Sequence, residues 1–250
     1  MSTHSVATID RIHSDRSHRD WLLFALTVSS GAVDAISFLA LGKVFTTFVT
    51  WNFVFLGMGI AHDADAPSIN AVLVSMCSFG LGVCLATLIV TPAQRAVDAE
   101  LSARVVWPLR VTYALAVSLL PHLAFVVLWI AIGGSPAASA TLGLLAAWAL
   151  AMGMQSAAVR RLDVGGIYTT MATGTIIFLL GSFAHRLVSG GERRRLSGVL
   201  VSLVIGATAG ARLLIDAPTY APLLPFVITI VVVAIAAKVF GYRERHQAAA

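Results

Sequence analysis

Charge is what this sequence has least of. Asp, Glu, Lys and Arg make up 12% of its 250 residues, against roughly 25% in a typical soluble domain. With 58% apolar residues and a mean hydropathy of +0.87, that scarcity excludes both a soluble globular enzyme and a disordered chain. Cysteine is almost absent. Cys77 and Cys84 lie seven residues apart in one apolar stretch. They share a helix face at two turns' separation, too far for a disulfide, and are expected to pack. The sequence holds no metal framework, no Ser/His/Asp set, no His-Glu-x-x-His pair and no Walker-type loop. No cofactor is therefore expected, and no enzyme activity. Basic runs interleaved with aromatics are also missing, which argues against nucleic acid despite a net charge of +5. In a membrane protein such a surplus reports cytoplasmic loops rich in Lys and Arg. The first 20 residues lack a small-residue cleavage site, so they read as a cytoplasmic tail before a first span, not as a removed signal peptide.

What is present is a series of apolar runs. Eight stand out, at 21–41, 44–61, 69–90, 107–132, 136–159, 167–184, 196–215 and 221–240. A spanning helix needs about 20 such residues. Six runs meet that length; 44–61 and 167–184 are the shortest and open with β-branched, aromatic and hydroxyl residues. These two also match each other. Val44-Phe45-Thr46-Thr47-Phe48-Val49-Thr50 aligns with Ile167-Tyr168-Thr169-Thr170-Met171-Ala172-Thr173, and Asn52 meets Thr175. Upstream, Gly31-Ala32-Val33-Asp34-Ala35 aligns with Gly153-Met154-Gln155-Ser156-Ala157. The chain reads as a duplicated unit: a tail at 1–20, membrane repeats at 21–132 and 136–240, and a cytoplasmic tail at 241–250. Weak internal symmetry of this kind is common in transporter folds.

The positive charges bear on topology. If all eight segments cross, Lys and Arg divide ten inside against seven outside. If 44–61 and 167–184 enter and leave on one side, Arg95, Arg104, Arg110, Arg160 and Arg161 change sides. Only Lys43 and Arg212 are then left outside. Positive-inside bias prefers the second arrangement. The fold expected is an all-α polytopic membrane protein. It is an inverted repeat of two halves, with six spanning helices plus two discontinuous, re-entrant segments. Both termini are cytoplasmic.

A helix that starts inside the bilayer must have its free N–H groups satisfied by protein or water. Thr50 or Asn52 could cap one such helix, and Thr173 or Thr175 the other. Two inward N-termini carry about half an elementary positive charge each, which favours anions or oxygen-bearing groups. The candidate solute-binding residues are thus Thr46, Thr47, Thr50 and Asn52 in one half, and Thr169, Thr170, Thr173, Thr175 and Gln155 in the other. Asp34 is the one acidic residue deep within an apolar run. It costs at least about 2.5–3.5 kcal/mol there, so it either couples transport to a cation or holds the Thr segment. His122, beside Pro121 in mid-segment, could titrate or pack through hydrogen bonds, and the proline is expected to kink its helix. Gly206 and Gly210 form a GxxxG pattern, which together with the Ala-rich run 136–159 reads as close helix packing. Arg212 and Asp216, four apart, are expected to pair with each other.

These motifs resemble the YoaK-type family of bacterial inner-membrane proteins (domain of unknown function 1275). The resemblance rests on Gly31-Ala-Val-Asp34-Ala-Ile-Ser-Phe-Leu-Ala-Leu-Gly42, Val44-Phe45 and Thr50-Trp51-Asn52. In the second half it rests on Gln155, Arg160-Arg161-Leu162 and Thr173-Gly174-Thr175. It implies an inner-membrane address and this architecture over about residues 20–240. Where the family usually has Thr-Gly-Asn, this chain has Trp51, expected to crowd the bend or plug a cavity. The function expected is a small-solute transporter or channel for an anion or polar metabolite, its partners the lipid bilayer and that solute. A homo-oligomer, and a non-transporting assembly or stress-response protein, remain alternatives.

Overall fold

The computed structural model describes residues 3–91, 106–162, 164, 172–185 and 190–247. They form eight α-helices: α1 Thr3–Ala40, α2 Val49–Ile60, α3 Ile69–Val90, α4 Leu109–Ala131, α5 Ala138–Arg160, α6 Ala172–His185, α7 Gly190–Asp216 and α8 Leu223–Gln247, with a 3-10 turn at Pro218–Tyr220 before the last. No strand occurs among the described residues. Six helices are long and apolar enough to cross a membrane, and α2 and α6 are the short apolar ones. The polar stretch from Thr3 to Asp20 is helical and continuous with the apolar part of α1.

Helix directions follow from two buried apolar clusters. One gathers Leu22–Leu26, Ala86 and Val90, Trp107–Leu115, Met154–Leu162, Leu196 and Val199, and Val232–Phe240. The other gathers Val33–Leu41, Ala71 and Val72, Phe125 and Trp129, Leu144–Met152 and Ala221. The first therefore holds the beginnings of the apolar parts of α1, α4 and α7 and the ends of α3, α5 and α8. The second holds the opposite ends. So α1, α4 and α7 run one way and α3, α5 and α8 the other. Because α1 ends and α3 begins at the same end of the bundle, the chain between them, α2 included, dips in and returns. Likewise α5 ends and α7 begins at the other end, with α6 between them. Charge follows the same axis. Arg16, Arg19, Arg110, Arg160, Arg161, Arg193, Arg194, Arg195 and Lys238 lie toward the end of the first cluster, and Lys43 and Arg212 toward the end of the second. Arg212 pairs with Asp216 at 2.7 Å.

The closest helix contacts use glycine. A Cβ on Gly206 would strike the Val28 carbonyl, and one on Gly31 the Leu203 carbonyl. In the same way Gly82 lies against the Leu150 carbonyl and Gly153 against that of Phe79. So α1 packs along α7 and α3 along α5, the two most extensive helix contacts. Gly206 and Gly210 thus meet Val28 and Ala32 of α1 in the close packing that their spacing suggested. The Ala-rich run 136–159 packs closely too, with Gly153 against Phe79 of α3. Pro121 does not end α4, which continues helical from Leu109 to Ala131. Cys77 and Cys84 are free and exposed on α3, so the packing role expected of them is not theirs.

Candidate functional site

The first site is built where α1 ends. Gly42 (φ +84°) and Lys43 (φ +61°) take the left-handed conformation, which glycine adopts without penalty. The Lys43 N–H donates to the Phe38 carbonyl at 3.1 Å, and the chain reverses into the bundle. The segment Val44–Phe48 is not helical, so its backbone groups need partners from elsewhere. Asp34 supplies three of them. Its Oδ1 accepts from the N–H groups of Thr46 (3.1 Å) and Thr47 (2.8 Å), and its Oδ2 from that of Phe48 (3.0 Å). Asn52 serves both sides of Phe45. Its Oδ1 accepts the Phe45 N–H at 3.3 Å and its Nδ2 donates to the Phe45 carbonyl at 2.7 Å. Ser75 of α3 donates to the same carbonyl at 2.7 Å. Phe45 then stacks between Phe38 and Phe55.

Depth follows from helix rise. Asp34 lies six residues before the end of α1, and Ser75 six after the start of α3. At 1.5 Å per residue the segment between them sits roughly 9 Å inside the helix ends. The N-terminus of α2 therefore points into the bundle. Its partial positive charge already faces the acceptor oxygens of Asp34. Neither Thr50 nor Asn52 caps α2: no side chain bonds its free N–H groups in that way. Thr50 is exposed, while Thr46, Thr47 and Asn52 are buried. The Thr46 hydroxyl is buried without a hydrogen-bond partner among the described residues. Trp51 is 57% exposed, so it neither crowds the bend nor plugs a cavity; it points out of the bundle.

The second half is built differently. Ser156, aligned with Asp34, donates at 2.7 Å to the Met152 carbonyl of its own helix. Thr175 is buried and Thr173 exposed, while Thr169 and Thr170 lie outside the described residues. The structure therefore joins Asp34, Thr46, Thr47 and Asn52, and sets Thr50 and Thr173 apart from them.

Gln155 and His122 belong to a second feature, a polar layer between the two apolar clusters. Ser29 and Ser30 on α1, Ser118 and His122 on α4, Ser202 on α7 and Thr229 on α8 are all buried there, with Gln155 at its border. Gln155 Nε2 donates to Ser30 Oγ at 2.9 Å and to the Leu26 carbonyl at 3.4 Å. Ser29 donates to the Pro225 carbonyl at 3.2 Å and lies 3.4 Å from the Thr229 hydroxyl. Both ring nitrogens of His122 are buried without a partner among the described residues, so the hydrogen-bonded packing open to it from sequence is absent. On α1, Ser30 and Asp34 are one turn apart, so the layer and the Asp34 anchor share a stripe of that helix. Sequence reasoning missed Ser29, Ser30, Ser75, Ser118 and Thr229, because a lone hydroxyl in an apolar run is ordinary helix packing. The Ser29-Ser30 pair, one turn before Asp34, was the available signal. No group of three or more metal-ligating side chains occurs among the described residues.

Comparison with known proteins bears on most of the chain. Residues 22–235 match a family described as a protein of unknown function, DUF1275. The UPF0700 transmembrane protein YoaK of Bacillus subtilis (strain 168) is 33% identical over 171 residues, which is 68% of this chain and 70% of that protein. No solved structure matches.

Proposed function

Since the chain belongs to the DUF1275 family of YoaK-like membrane proteins, we propose that it is a small-solute transporter or channel built as an inverted repeat. The single observation behind this reading is the buried polar layer. Seven polar side chains from five helices sit between two apolar clusters, at the depth where polar groups cost most. Helix packing alone does not require so many, and solute sites of such proteins lie at the midplane between repeats. The inverted relation is supported by helix direction and by the exchange of partners. The first helix of each aligned half packs on the third helix of the other. The basic end, where α1 starts and α8 ends, faces the cytoplasm by positive-inside bias, and the membrane is a bacterial inner membrane. The solute moves without covalent chemistry. Asp34 acts as a positioning residue that holds the Thr46–Phe48 backbone. The polar solute approaches past Thr46, Thr47 and, from the other half, Thr175.

A second reading, an assembly partner that moves no solute, is favoured by one fact: the Asp34 carboxylate already fills the anion seat at the α2 tip. Flux into proteoliposomes across a broad panel of charged and uncharged small solutes separates the two. Uptake above protein-free vesicles for at least one class is expected. Uptake of none would leave only the second reading.

A further inference from the structure

The contact between α4 and α5 holds the part of the polar layer whose hydrogen-bonding groups are left unmet. The rings of Phe125 and Trp148 stack at 3.6 Å and 1° and fix the register of these antiparallel helices. With 1.5 Å of rise per residue, His122 comes level with Ala151 one turn away, and Ser118 level with Gln155. Three buried polar groups then fall within two turns: the Trp148 indole nitrogen, both nitrogens of His122 and the Gln155 carbonyl oxygen. Each lacks a hydrogen-bond partner among the described residues, and each residue is fully buried. Four unmet polar atoms at one contact between two helices are costly, at about 1–3 kcal/mol each. Three apolar side chains would remove the cost. Pro121, at the same level, deprives the Val117 carbonyl of its helical donor and makes α4 the weaker wall.

We propose that the α4/α5 face is a binding site for small uncharged solutes that both donate and accept hydrogen bonds. The chemistry follows from the inventory. The indole N–H donates, the neutral imidazole offers one donor and one acceptor, and the amide oxygen accepts. No Lys, Arg, Asp or Glu stands at this level of either helix. On the neighbouring stripe Asp34 is engaged by three backbone N–H groups, so an ion would meet no counter-charge. An uncharged amide or polyol meets every group here. The solute enters when α4 parts from α5, since the described form is closed. This assignment rests on the transport reading and names its solute class.

The test uses the full chain in proteoliposomes, with urea and glycerol as probes in a stopped-flow osmotic assay and inorganic phosphate uptake as the charged arm. Urea or glycerol permeability should exceed that of protein-free vesicles. His122→Phe and Gln155→Leu should each lower it at least fivefold without lowering Tm. Leu120→Ala, on the exposed face of α4, should leave it unchanged. If both variants raise Tm and leave urea and glycerol flux intact, the face is merely packed and the assignment is wrong. Phosphate flux without urea or glycerol flux also overturns it, while the transport reading stands. No flux of any probe or of the wider panel removes that reading and this one together.

Discussion

Replacing Asp34 by Asn removes one acceptor oxygen and puts a donor in its place. The N–H groups of Thr46 and Thr47 share Oδ1, and that of Phe48 uses Oδ2. An Asn can keep its oxygen toward the first two, but its amide nitrogen then confronts the Phe48 N–H. One charge-assisted bond, worth about 1.5–3 kcal/mol, disappears, and a buried donor is left unmet. A loss of about 2–3 kcal/mol is expected for Asp34→Asn. Asp34→Ala strands all three donors, so after relaxation it should cost about twice that. The assay is equilibrium unfolding in mixed detergent micelles. It is paired with maleimide labelling of a single Cys at Thr47, in a background with Cys77 and Cys84 replaced by Ala. Thr47 is 2% exposed, so the label should react slowly in the parent and quickly in both Asp34 variants. If Asp34→Ala unfolds within 0.5 kcal/mol of the parent and Thr47 stays protected, Asp34 does not hold the segment. If Asp34→Asn instead stops flux while stability and protection are unchanged, the carboxylate is a coupling group.

Three further outcomes follow from packing and topology. Gly206→Ala and Gly153→Ala each drive a methyl into a facing backbone carbonyl and should lower stability by roughly 2–4 kcal/mol. Gly80→Ala and Gly143→Ala meet open space and should gain up to about 1 kcal/mol of helix propensity; equal effects at all four would refute the close contacts. Cys77 and Cys84, exposed on α3 within the apolar belt, should react with a membrane-permeant maleimide and resist a sulfonated one in intact vesicles. Single cysteines at Asp63 and Arg194 should be labelled from opposite sides of the membrane, because α2 and α6 return to the ends from which they came; labelling from the same side would restore eight crossings.

The re-entrant placement of 44–61 was legible before any coordinates, because charge distribution depends only on which loops share a side. The boundaries of the helices at 69–90, 109–131 and 138–160 were legible too, since apolar runs bounded by polar residues leave little choice in lipid; the polar extensions of α1 back to Thr3 and of α8 on to Gln247 were not. Partnership was not. Gly206 and Gly210 announce a close contact, yet nothing in their spacing says that the surface is α1 and not α5. Asp34 was visible as a costly carboxylate, but its role depended on a chain reversal at Gly42 and Lys43 that brings residues 46–48 beneath it. Asn52 read as a helix cap or a solute ligand and turned out to pair with both backbone groups of Phe45. Composition and periodicity therefore determined that this is a membrane protein and which six helices are long and apolar enough to span, because each is a property of the chain against its solvent. Which polar groups meet, and which are left unmet at His122, Trp148 and Gln155, was decided only when six helices packed together. Hydrogen bonds between residues far apart in sequence have no period to be read by.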